Sequence, residues 1–76
     1  MNVTLFTGPE CHLCQLAIDE IEALAQPSLN VTKLNIREDA SLYHLYAMRI
    51  PVLKRDDTAQ ELNWPFSRND IEHFIQ

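Results

Sequence analysis

Two cysteines, Cys11 and Cys14, stand at the junction of two apolar patterns with different periods, and the chain contains no others. Before them, Val3 to Thr7 is a short run with β-branched and aromatic residues, bounded by Gly8-Pro9, and reads as a buried strand. From Cys14 onward, apolar residues fall at 14, 17, 18, 21, 24 and 25, a helical stripe with Asp19, Glu20 and Glu22 outside it. Pro27 and Ser28 end that helix. The pair therefore belongs to a strand-to-helix turn. There the second thiol, one helical turn beyond the first, comes within bridging distance of it.

The remaining elements follow in order. Asn30 to Ile36, with Val31, Leu34 and Ile36 in imperfect alternation, is a second strand. Two strands separated by a helix of about a dozen residues make a βαβ unit with parallel strands and a right-handed crossover. Glu38-Asp39 opens a second helix, and Leu42, Leu45 and Tyr46 line one face of it. Pro51 cannot sit inside that helix and drives Ile50 into an extended conformation. Val52-Leu53 begins a third strand, Asp56-Asp57 is a turn, and Gln60-Glu61-Leu62 is a fourth strand closing an antiparallel hairpin. Ser67-x-x-Asp70 has the form of a capping box, and Ile71, Phe74 and Ile75 face inward from a last helix. The order is βαβαββα, without repeat or linker, and is expected to form a single domain over residues 1–76.

A chain of 76 residues buries only about 60% of its unfolded surface, so a staple would help it. Cysteines this close in sequence close too small a loop to act as one, since stabilisation grows with the length of chain enclosed. The pair suits chemistry better than structure. No stretch approaches the roughly 20 apolar residues of a membrane span. Met1 to Phe6 lacks the basic flank and apolar core of a signal peptide. A cytoplasmic location is therefore expected, where paired thiols are redox-active or metal-binding more often than structural. Six basic against eleven acidic residues give a net charge of -5, and no Lys/Arg cluster offsets it. Nucleic-acid binding is thereby disfavoured, and neither a membrane nor a nucleic acid is an expected partner.

Cys11-His12-Leu13-Cys14 after strand one and Ile50-Pro51-Val52 before strand three, in this order of elements, resemble the glutaredoxins. The similarity is closer still to the short glutaredoxin-like proteins, and it spans essentially the whole chain. The resemblance implies an α/β thioredoxin fold in its minimal form, with a four-stranded mixed sheet and a cis Ile50–Pro51 bond facing the disulfide. It also implies thiol–disulfide oxidoreductase activity, by a monomer, on a disulfide-containing protein or a low-molecular-weight thiol. Several family features are replaced. His12-Leu13 stands where glutaredoxins carry Pro-Tyr, and Arg49-Ile50-Pro51 where they carry Thr-Val-Pro. Leu62-Asn63-Trp64-Pro65-Phe66-Ser67 takes the place of the Gly-Gly turn that helps hold glutathione. The loop Thr7-Gly8-Pro9-Glu10 has no lysine. Glutathione is accordingly expected to bind poorly as a co-substrate.

The thiolate is the nucleophile in such chemistry. Cys11 is expected at the helix N-terminus, where unpaired N–H groups and the helix dipole favour negative charge, with Glu10 opposing and His12 assisting. Cys14, on the apolar stripe, is the resolving thiol. His12, Leu13, Arg49, Ile50, Pro51 and Trp64 complete the expected substrate-binding set. Arg49 would meet a substrate carboxylate, and the Ile50 backbone would pair with an extended substrate segment. Trp64 is read either as a wall of the groove or as a staple for the last helix. No cofactor beyond the Cys11–Cys14 disulfide is expected. Structural zinc wants four ligands, and His44 and His73 have no partner at ligand spacing to join Cys11, His12 and Cys14. The rival readings are a glutathione-dependent glutaredoxin proper and a non-catalytic metal or iron–sulfur binding module.

Overall fold

Leu5 and Phe6 are neighbours on one strand, yet they enter different cores, because successive side chains of a strand point to opposite faces. The computed structural model describes all 76 residues. The strand is β1 (Asn2–Thr7), followed by α1 (His12–Leu24), β2 (Asn30–Asn35), a 3-10 turn (Ile36–Glu38) and α2 (Ala40–Tyr46). Then come β3 (Val52–Arg55), β4 (Glu61–Asn63) and α3 (Arg68–Phe74). The four strands form one sheet in the order β2-β1-β3-β4. β1 runs parallel to β2, with Val3 opposite Val31, and antiparallel to β3, with Leu5 opposite Leu53. β3 and β4 are antiparallel, with Val52 opposite Asn63.

On one face Val3, Leu5 and Leu53 pack with Ala17 of α1, Ile71 of α3 and Phe66. On the other, Phe6 and Val52 pack with Ile36 and with Tyr46 of α2. Leu5, Leu53 and Ile71 are fully buried, each worth roughly 1.5–3 kcal/mol over an exposed position. The α1 stripe faces the sheet as expected, with Cys14 and Ala17 buried and Ile18, Ile21 and Leu24 half-buried. Ala25, which the stripe included, lies outside the helix. It is the left-handed C-cap (φ 51°), its N–H donating to the Glu22 carbonyl.

Two other expectations are corrected. Leu45 does not line the buried face of α2 and is 62% exposed. In a helix of seven residues only the i, i+4 pair Leu42 and Tyr46 can centre on the sheet, and Leu45 falls to the side. Glu38 lies in the 3-10 turn, and Asp39 alone opens α2, its Oδ1 accepting from the N–H groups of Ser41 (2.8 Å) and Leu42 (3.2 Å). The α3 capping box is present: Asp70 N–H donates to Ser67 Oγ (3.2 Å) and Ser67 N–H to Asp70 Oδ2 (2.8 Å). The Ser67 N–H and then the Ser67 hydroxyl, both donating to Asp70 Oδ2, hold the Asp70 carboxyl below its ordinary range. No helix is long and apolar enough to cross a membrane.

Candidate functional site

The turn after β1 delivers Cys11 to the N-cap of α1, with extended backbone (φ -107°, ψ 101°). There Cys11 Sγ accepts a hydrogen bond from the Cys14 N–H at 3.1 Å. This is the position that Ser, Thr, Asp and Asn favour, because a side-chain acceptor satisfies a helix donor that has no partner within the helix. Cys11 and Cys14 are joined as a disulfide, with their Cα atoms 5.2 Å apart. The two sulfurs differ in access. Cys14 is 2% exposed, whereas Cys11 is only half-buried and borders an open depression with Thr7, Gly8, Glu10, His12, Gln15 and Ile18. Glu10, just before the pair, has a left-handed backbone (φ 53°), uncommon for a residue with a side chain.

The remaining expected residues are not all brought to this depression. His12 borders it, and Leu13 is 45% exposed between the cysteines. Pro51 is fully buried after a cis Ile50–Pro51 bond, as the resemblance implied; a second cis bond, Trp64–Pro65, was not foreseen. Ile50 closes against Gly8: a Cβ built on Gly8 would stand 3.0 Å from Ile50 Cδ1, so the lone glycine permits a close approach. The Ile50 backbone is less free than expected. Its N–H donates to the Tyr46 carbonyl (3.1 Å), leaving the Ile50 carbonyl as the group without a partner.

Arg49 lies elsewhere, in a cluster on the α2 face. Its Nη2 donates to Glu61 Oε1 (2.7 Å) and Asn63 Oδ1 (2.9 Å), and the guanidinium lies over the Tyr46 ring, 5.1 Å from its centroid. Tyr46 stacks on Phe6 at 4.2 Å and donates its hydroxyl to Glu61 Oε2. The Tyr46 hydroxyl and the Arg49 guanidinium, in that order, pull the Glu61 carboxyl below its ordinary range. The same contact with Glu61 pushes the Tyr46 phenol up. Sequence reasoning missed Glu61, and no local signal could have found it, since 15 residues separate it from Tyr46.

Trp64 is half-buried, edge-on to Phe66 at 5.1 Å, and packs against the core that α1 and α3 share. It borders a separate depression with Glu20 and Ser67, so its place is that of a staple for α3. The donors of the first turn of α3 are largely engaged. Arg68 N–H donates to Glu20 Oε2 (3.1 Å), and Ser67 and Asp70 N–H serve the capping box. No three His, Cys, Asp or Glu side chains converge as a metal-binding cluster.

A disulfide at the N-terminus of α1, a cis proline before β3 and a β2-β1-β3-β4 sheet define a glutaredoxin-like protein of the thioredoxin fold. The chain belongs to the family described as Glutaredoxin-like domain (DUF836), whose model matches residues 2–76. It is similar to the X-ray structure of the structural-genomics target protein XcR50 from X. campestris, at 29% identity. That match covers 96% of this chain and 93% of the other, with a TM-score of 0.86. Protein Ne2328 from Nitrosomonas europaea is 25% identical over 96% of this chain and 88% of its own, with a TM-score of 0.79. Thioredoxin 1 from Thermosipho africanus, 18% identical, shares the fold, with a TM-score of 0.68 over 99% of this chain and 94% of that one. Among curated proteins none matches significantly. A glutaredoxin-like fold carrying a paired Cys11 and Cys14 fits a redox role.

Proposed function

We propose that the chain is a cytoplasmic, monomeric thiol–disulfide oxidoreductase acting on a disulfide-containing protein or a small thiol, with no cofactor beyond its own cysteines. One observation carries this reading: of two bonded cysteines, the accessible one is a helix N-cap whose sulfur receives an N–H, and the other is buried. In the reduced chain the same N–H favours the Cys11 thiolate.

Cys11 attacks one sulfur of the substrate disulfide, forming a Cys11–substrate bond, while the other substrate sulfur departs as a thiolate and takes a proton from water. Cys14 then loses its proton to water and attacks Cys11 Sγ. The Cys11–Cys14 disulfide forms and the second substrate sulfur leaves, to be protonated in turn. Two electrons pass from the dithiol to the substrate, and an external dithiol of the small-molecule or protein class restores the starting state.

Direct glutathione dependence draws less support, because Arg68 N–H and Ser67 N–H already serve carboxylates of this chain. Cys14→Ser tests the proposal. It should accumulate mixed disulfides through Cys11, visible as new bands on gels run without reductant, whereas Cys11→Ser should form none. Normal turnover of protein disulfides by Cys14→Ser would replace the dithiol route with a single-cysteine one.

A further inference from the structure

Two arginines and a backbone donor that could receive an anionic substrate already have partners within the chain. Arg49 is paired with Glu61 at 2.7 Å. Arg68 offers its N–H to Glu20 at 3.1 Å and holds its Nε 4.0 Å from the same oxygen, and Ser67 N–H is held by Asp70 at 2.8 Å. The depression beside the disulfide has neither lysine nor arginine on its wall, and its one carboxylate is Glu10, exposed and adjacent to Cys11. The backbone adds a bias of the same sense. Pro51 has no N–H and that of Ile50 is taken by Tyr46, so this segment presents a carbonyl acceptor and no donor. A net charge of -5 supports that polarity at longer range.

From this arrangement we infer that the site selects disulfides flanked by Lys or Arg and discriminates against anionic ones, glutathione disulfide among them. The inference rests on the exchange activity proposed above and specifies its substrate class. An ammonium or guanidinium beside the substrate cysteine finds the Glu10 carboxylate. A carboxylate there meets like charge and finds neither lysine nor arginine, His12 being the one basic side chain on the wall. At a separation of about 7 Å in water, one unit-charge pair changes an encounter by about threefold, and salt screens it.

Single-turnover exchange tests this with three peptide disulfides that differ only in the residues flanking the cysteine: two Lys, two Ser or two Glu. In each reaction the reduced chain gives two electrons to the peptide disulfide and ends as the Cys11–Cys14 disulfide, and the peptide leaves as thiols. The expected order is Lys, Ser, Glu, with a spread of about tenfold at low salt that collapses to about twofold at high salt. Glu10→Gln should narrow the spread and Glu10→Lys should reverse the order. Glu10 is exposed, so both variants keep the fold. Comparing peptides within one variant cancels any change in Cys11 reactivity, which alkylation by neutral iodoacetamide measures separately. Equal rates for the three peptides in the unsubstituted chain, or an order untouched by Glu10→Lys, would overturn the inference and leave the exchange activity standing. Failure to react with any peptide would remove both.

Discussion

Tyr46→Phe isolates one hydrogen bond while keeping the packing around it. The phenyl ring remains stacked on Phe6, where the centroids lie 4.2 Å apart and the planes within 13° of parallel. Only the hydroxyl that donates to Glu61 is lost. A hydrogen bond to a charged group is worth about 1.5–3 kcal/mol. Here the lower part of that range is reduced to about 1 kcal/mol, because the Glu61 side chain is 26% exposed and keeps Arg49. For a domain of this size, that corresponds to a fall in Tm of about 6 °C.

The difference should depend on pH with a defined sign. In the folded chain the Glu61 carboxyl is held below its ordinary value of 4.5, chiefly by Tyr46. Its contribution is thus complete above that value and is lost as pH falls through the folded one. The Tyr46 phenol is raised above its ordinary 10.0, so its contribution is complete below 10.0 and is lost as pH rises through the folded value. Thermal denaturation followed by circular dichroism should therefore show a constant gap between the two proteins from about pH 5 to 9. The gap should close on either side. A cycle with Glu61→Ala, which removes the acceptor, should return most of the loss as coupling between the two positions. A Tyr46→Phe protein within about 1 °C of the parent throughout, or a coupling near zero, would refute the reasoning.

In the reduced chain, Cys11 should be alkylated at least about tenfold faster than Cys14, which is 2% exposed in the folded chain; equal rates would undo the assignment of roles. Reduced glutathione titrated into labelled Cys14→Ser protein should give no saturable amide shifts at Ile50 and Ser67–Asp70 in the low-millimolar range. Saturation at both segments would restore an ordinary glutaredoxin. Ser67→Ala should cost about 1 kcal/mol, or about 6 °C in Tm, by removing the hydroxyl that receives the Asp70 N–H. A change below about 2 °C would show the cap to be dispensable.

Features written in short spans of chain were legible in the sequence. The Cys11–Cys14 turn, the α1 stripe, Asp39 ahead of α2 and the Ser67–Asp70 box each join residues three or four apart, or recur at that spacing. A helical turn brings such residues together whatever the rest of the molecule does. The parallel β1–β2 pair and the antiparallel β3–β4 hairpin followed from the same patterns, since a βαβ unit has few ways to close, whereas the place of β1 beside β3 came only from the tertiary structure.

What the sequence could not set was how groups far apart in the chain divide their partners. Arg49 was available to a substrate until β4 placed Glu61 beside it, and the first donors of α3 were open until α1 placed Glu20 there, 48 residues away. Leu45 carries an apolar side chain to the surface because the sheet meets only the Leu42–Tyr46 side of a two-turn helix. The capacity for redox chemistry thus lies in a local motif. The charge that surrounds it depends on contacts between distant segments, because each ion pair forms only where packing has already set two elements side by side.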